Sequence, residues 1–189
     1  MTLYILWNKM VQTKRKKKFF DVEIPSIGKT TQVRAYEIEE LNGRHIKYDL
    51  TRILRGKGAE LQLKIKVEGE ETIITPVKIS LMPYYMKRIV RKGTNYVEDS
   101  FSTNCKNAQI RIKPFLVTRR KVSRAVRKAL RNECKKELIE YSKEKTSNQI
   151  FDDVIKNKLQ KNLSLKLKKI YPLSACEIRV LKVEKEKVE

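Results

Sequence analysis

The hydrophobic period of this chain changes once, near Thr118, and that change limits what the chain can fold into. Before it, Leu61, Leu63, Ile65 and Val67 alternate with Gln62, Lys64, Lys66 and Glu68, the period-two pattern of a half-buried strand. Gly69 follows as a turn, and TIITPVKISL reads as the antiparallel partner, with Pro76 predicting an edge or a bulge. Further strands are expected at Thr31 to Ile38, at His45 to Leu50 after the Asn42-Gly43 turn, and at Ala108 to Val117. Pro83 opens a short helix through YYMKRIVRK, ended by Gly93.

Beyond Thr118 the apolar spacing becomes helical. Val122, Val126, Ala129, Leu130, Cys134 and Leu138 recur at three- and four-residue steps, while Arg124, Arg127, Lys128, Arg131 and Lys135 take the opposite side. This long helix is expected to reach about Lys145. Ser147 is the candidate N-cap of the next, with Ile150, Phe151, Val154, Ile155 and Leu159 on one face. Leu163, Leu167 and Ile170 suggest one more short helix before Pro172, and Cys176 to Val183 returns to strand alternation through Ile178 and Val180. Strands followed by helices define an α+β fold: a small antiparallel β-barrel-like body with flanking C-terminal helices. A chain of 189 residues suits one core. The expected division is a basic tail over 1–18, a single α+β domain over 19–183 and a charged tail over 184–189.

The charge pattern points to the partner. The chain holds 44 basic and 22 acidic residues, a formal +22. Between Arg111 and Lys136 eleven basic residues face a single acid, Glu133. Such an excess repels itself until a polyanion relieves it and releases counterions. Candidate phosphate contacts form four clusters: Lys14, Arg15, Lys16, Lys17 and Lys18; Arg52, Arg55 and Lys57; Lys87, Arg88, Arg91 and Lys92; and Arg119, Arg120, Lys121, Arg124, Arg127, Lys128 and Arg131. Gly56 and Gly58 beside the second cluster would let a phosphate backbone approach closely. Tyr84 and Tyr85 could stack on bases, though packing is the commoner role. No aromatic RRM signature or KH-type G-x-x-G occurs, which favours recognition of a folded RNA by shape and backbone.

Catalysis has little to build on. The one histidine, His45, lies on a predicted strand four residues from Asp49, too far for a direct hydrogen bond, and no nucleophile accompanies it. Adjacent Asp152 and Asp153 point apart on a helix, where acids in the first turn answer the dipole. Gly28-Lys29-Thr30 resembles the end of a phosphate loop, but Glu23 stands where that loop needs its first glycine. Glu98 and Asp99 would hold Mg²⁺ only with distant partners. Cys105, Cys134 and Cys176 fit neither a disulfide framework nor a zinc ribbon, and point to a reducing cytoplasm. The apolar run in MTLYILWNK is too short to span a bilayer and lacks the features of a signal peptide. Met1 and Met10 remain alternative starts, which an intact mass would separate. The basic amphipathic helix lacks the bulky aromatics of a membrane binder, so no membrane partner is expected.

Five segments, in order, carry a family resemblance: KKFFDVEIPSIGKT, LNGRHIKYDLTRIL, PYYMKRIVRKGTNYVE, the basic helix, and IYPLSACEIRVLKVEK. Together they resemble the archaeal and eukaryotic small-subunit ribosomal protein family S3Ae, and more closely its archaeal members. The resemblance implies a β-barrel-like body with flanking helices that binds rRNA on the platform of the small subunit near the mRNA exit. Neighbouring ribosomal proteins, and mRNA where the exit lies close, are the further partners it implies. It implies a cytoplasmic, ribosome-bound location, no enzymatic activity, no cofactor and no homo-oligomer. The alternative on charge alone is a free RNA- or DNA-binding factor of the translation or chromatin machinery.

Overall fold

A computed structural model describes residues 16–69 and 71–186. Among them are nine strands: β1 (Lys18–Ile24), β2 (Lys29–Ala35), β3 (His45–Asp49), β4 (Ala59–Glu68), β5 (Glu71–Leu81), β6 (Tyr96–Glu98), β7 (Phe101–Asn104), β8 (Ala108–Thr118) and β9 (Leu173–Glu186). Four α-helices accompany them: α1 (Pro83–Ile89), α2 (Arg124–Glu144), α3 (Ser147–Ile155) and α4 (Lys158–Leu167). The expected α+β class is what forms. The strands make a two-stranded sheet, β1-β2, and a seven-stranded antiparallel sheet of order β3-β4-β5-β9-β8-β6, with β7 also on β8. Both sheets are open, so the body is barrel-like only loosely.

The chain divides into two compact units, residues 1–44 with 65–74, and residues 45–64 with 75–189. The smaller holds the β1-β2 hairpin, whose inward Val22, Ile24, Val33 and Ala35 are buried at alternate positions. Gly28-Lys29-Thr30 sits at its turn, where the Gly28 N–H reaches the Ile24 carbonyl at 2.9 Å with φ +65°. That is hairpin chemistry, and no helix follows to make a phosphate loop.

In the larger unit β9 is inserted between β5 and β8, pairing with β8 from Thr118↔Leu173 to Ala108↔Glu186 and with β5 through Lys78↔Lys182, Ile79↔Leu181 and Ser80↔Val180. Pro76 lies beyond that short β5-β9 ladder, so its missing N–H costs no bond to β9. β6 and β7 share the outer edge of β8, which alternates to Lys113 and is then buried continuously from Pro114 to Thr118. Helix α2 packs on β6 and β7, and α3 and α4 pack on β9. Cys105, Cys134 and Cys176 form no disulfide. Burial pushes the Cys134 thiol up to about 12, so it behaves as an apolar core group.

Several sequence boundaries move. Strand β2 ends at Ala35, three residues short of the expected Ile38, and α1 ends at Ile89 rather than at Gly93. The long helix begins at Arg124, with Ser123 as its N-cap, so Arg119, Arg120 and Lys121 lie in a loop. Its buried line is Leu130, Cys134, Leu138 and Ser142, a single i+4 row, while Ala129 is exposed. Such a row winds across the helix as it ascends, which a fixed-face reading misses.

Thr146, not Ser147, is the N-cap of α3; its N–H reaches Gln149 Oε1 at 3.1 Å. The Ser147 N–H is instead met by Asn107 Oδ1 at 2.8 Å, from forty residues away in sequence. The expected run from Ile150 through Leu159 is broken at Asn157, which takes a left-handed φ of +56°. Leu159, Leu163 and Leu167 therefore line α4 together, and Ile170 is exposed beyond it.

Candidate nucleic-acid interface

The main basic run is presented by a pinned loop and a helix terminus. Thr118, fully buried, accepts the Asn95 N–H at 3.0 Å, and its Oγ lies 2.7 Å from the Arg120 carbonyl and 3.0 Å from that of Asn95. Asn95 Oδ1 in turn accepts the Val122 N–H at 2.9 Å. The loop between is therefore fixed while Arg119, Arg120 and Lys121 project into solvent. Ser123 Oγ then accepts the Val126 N–H at 3.4 Å and starts α2.

Arg124, Lys128 and Arg131 are exposed and Arg127 is half-buried, with its Nε lacking a protein partner. Arg131 Nε reaches the Glu98 carbonyl at 3.3 Å. Among the described residues no ion pair neutralises any of these seven side chains. Nor does α2 carry an acid in its first turn. Cations at the positive end of a helix dipole cost about 0.3–1 kcal/mol each, and a bound polyanion reverses that penalty.

A second basic surface is assembled by the fold. A cleft of about 760 Å³ opens between the Leu54–Lys57 turn, α1, the start of β9 and α4. Exposed Arg55, Arg88 and Arg91 line it, joining two clusters that lie more than thirty residues apart in sequence. Arg88 donates to the Gly56 carbonyl at 3.0 Å and lies 5.2 Å from the Tyr85 ring centre, so its fork is held in place. Arg55 is held at φ +53°, a left-handed conformation for a non-glycine residue. Lys161 of α4 completes the lining; an isolated lysine in a polar helix gave no sequence signal.

Other expected contacts divide. Lys57 turns inward, its side chain only 11% exposed, to pair with Glu177 and donate to Asn157 Oδ1 at 2.8 Å. Burial pushes the Glu177 carboxyl up, and Lys57 pulls it part of the way back. Arg52, Lys87 and Lys92 are exposed but do not line the cleft. In the smaller unit Lys16 and Lys18 are exposed and Lys17 lies 5.2 Å from the Tyr36 ring centre; Lys14 and Arg15 fall outside the described residues. Gly58 does not leave room for phosphate: a Cβ there would stand 2.1 Å from the Tyr84 hydroxyl, so the glycine admits that ring. Tyr84 nevertheless remains half exposed.

The residues weighed for catalysis do not converge. His45 and Asp49 are both exposed, and Asp49 accepts the Thr51 N–H at 2.8 Å, with the Thr51 hydroxyl also on it; these bonds lower its carboxyl. Glu98 accepts from Arg179 at 3.0 Å, and Asp153 from Tyr141 at 2.7 Å and Lys145 at 2.5 Å. Among the described residues no three His, Cys, Asp or Glu side chains are placed to hold a metal ion. No helix among them is long and apolar enough to cross a membrane.

Fold and surface thus define a strongly cationic α+β protein with exposed basic clusters at a helix terminus and in a cleft. The chain belongs to the Ribosomal S3Ae family, whose model matches residues 7–187. It is 24% identical to small ribosomal subunit protein eS1 of Nanoarchaeum equitans, over 94% of each chain. Its identity to the protein of that name is 27% in Halorubrum lacusprofundi, over 92% of this chain and 84% of that one. In Pyrobaculum arsenaticum the figure is 28%, over 89% and 80%. The resemblance carried by the five sequence segments therefore extends across the chain.

Proposed function

We propose that this chain is a structural constituent of the small ribosomal subunit that binds and stabilises folded rRNA at the platform near the mRNA exit, in translation in the cytoplasm. Its role is to neutralise and position RNA, and the reading includes no catalytic step or cofactor. The observation that carries it is the uncompensated run from Arg119 to Arg131 at the positive end of α2, in a member of a ribosomal protein family. The cleft arginines Arg55, Arg88 and Arg91 supply a second set of phosphate contacts, and the exposed clusters at Lys16 to Lys18 and at Arg52, Lys87 and Lys92 extend the field. Neighbouring ribosomal proteins, and mRNA at the exit, complete its surroundings.

The test is assembly. With Arg124, Arg127 and Arg131 replaced together by Gln, incorporation into small subunits should fall while the thermal transition stays within a few degrees of the parent. About ten phosphate contacts would give a slope of log affinity against log salt near −9 on duplex-rich RNA. Absence of the chain from subunits purified at moderate salt would overturn the proposal, and a dominant pool sedimenting apart from them would favour a free RNA-binding factor.

A further inference from the structure

The far half of α2 carries an acidic stripe, together with a concavity of its own. A groove of about 300 Å³ lies between α2 and α4, floored by buried Leu138, Leu159 and Leu163 and edged by Tyr141 and Leu165. Leu165 is 68% exposed, more than any other described large apolar side chain. Beside the groove, Glu133, Glu137, Glu140 and Glu144 recur at steps of four, three and four, which places them within about 60° of arc on one face of the helix. Glu137 pairs with Lys166 at the groove. The same lysine is held up by that hydrogen bond and then by the fields of Glu137, Glu140 and Glu133, so at least three of the glutamates converge there. Among the described residues Glu133, Glu140 and Glu144 have no ion-pair partner.

We propose that this groove receives a segment of a neighbouring small-subunit protein that inserts an aliphatic or aromatic side chain between α2 and α4 and sets lysines or arginines against the glutamate stripe. The partner's location rests on the ribosomal reading; the groove chemistry does not. RNA is a poor occupant, because the floor is hydrocarbon, the one carboxylate of the lining, Glu137, already pairs with Lys166, and the glutamates along the rim repel phosphate. Proteins that pack among rRNA carry cations for its phosphates, and are the complementary class. Glu140 and Glu144 also sit at the negative end of the helix dipole, where acids destabilise the free helix. Lys136 and Lys143 lie on the neighbouring arc, so within the stripe Glu137 alone is ion-paired among the described residues, with Lys166.

The test uses small subunits purified from cells in which the chain is replaced by Leu165→Gln, by Glu140→Lys with Glu144→Lys, or by all three. These positions are exposed, and the Glu137–Lys166 pair and the basic run are untouched. Lysine crosslinking from Lys166, which lines the groove, identifies the neighbour, and quantitative mass spectrometry reads its occupancy under a salt wash. The expected result is that each variant chain stays on the subunit, the parent crosslinks to a basic segment of one protein, and the triple variant releases that protein at least about tenfold more readily, the scale of one lost apolar anchor. Unchanged occupancy and crosslinks would overturn the inference, as would crosslinks to RNA, to a second copy or only within the chain. Loss of the chain itself from subunits in the parent would instead count against the ribosomal reading.

Discussion

The two halves of α2 differ in charge, the first with its loop purely cationic and the second mixed with a slight acidic excess, and each places charge against the helix dipole. From Arg119 to Arg131 the loop and first half carry seven cations and no acid, at the positive end. From Asn132 to Glu144 the helix carries four acids and three lysines, with Glu140 and Glu144 near the negative end and Lys143 a partial offset. A helix selected for its own stability would reverse both. Helix stability therefore does not account for these charges, whereas the two proposed contacts, one with RNA and one with a basic protein segment, would.

Removing what holds both halves to the body should have the largest effect. Leu138→Ala empties a fully buried site on the α2 ridge and should cost about 3 kcal/mol in urea unfolding, with loss of both surfaces. If it unfolds no sooner than the parent, α2 is not the shared support.

Next in size is the proposed RNA surface. Arg55→Gln with Arg91→Gln should weaken RNA binding roughly ten- to a hundredfold and reduce the salt slope by about two, because two cleft cations leave the phosphate contact set. An unchanged slope in anisotropy titrations would confine RNA contact to other clusters.

Two ion pairs sharpen the contrast through pH. Burial raises the Asp153 carboxyl, but hydrogen bonds from Lys145 and Tyr141 outweigh it and hold the group below its ordinary 3.8. Stability from that pair is present above 3.8 and disappears as pH falls through the lowered value. Asp153→Asn should therefore destabilise at pH 7 and by less at pH 3. Glu177 is raised above 4.5, so the folded state takes its proton first and gains stability as pH falls through the raised value toward 4.5. Thermal melts of Glu177→Gln should lack that gain.

The smallest effects are the most pointed. Arg124→Glu and Glu144→Lys should each stabilise the free protein by about 0.3–1 kcal/mol by matching the dipole, while the first weakens RNA binding and the second the protein contact. Destabilisation by both would show that the fold, not the partners, set these charges.

Strands β3, β4, β5 and β8 were legible because alternation of single residues already says which face is covered. The basic clusters were equally plain. Asn157 was not: a left-handed residue interrupts an apolar period that runs on through Ile155 to Leu159, and nothing local announces it. Lys57 read as one more phosphate contact, and only its encounter with Glu177, 120 residues later, turned it inward. Lys161 and the groove at Leu165 escaped for the same reason, since each is made by elements distant in sequence.

The sequence by itself determined the α+β class, the excess of positive charge and its concentration before α2, because period and charge are properties of neighbouring residues. Tertiary structure decided which cations face solvent, that Arg55, Arg88 and Arg91 share one cleft, and that β9 is inserted between β5 and β8. Those outcomes depend on pairings across scores of residues, whose geometry is fixed by packing the whole core at once and is written in no single stretch of chain.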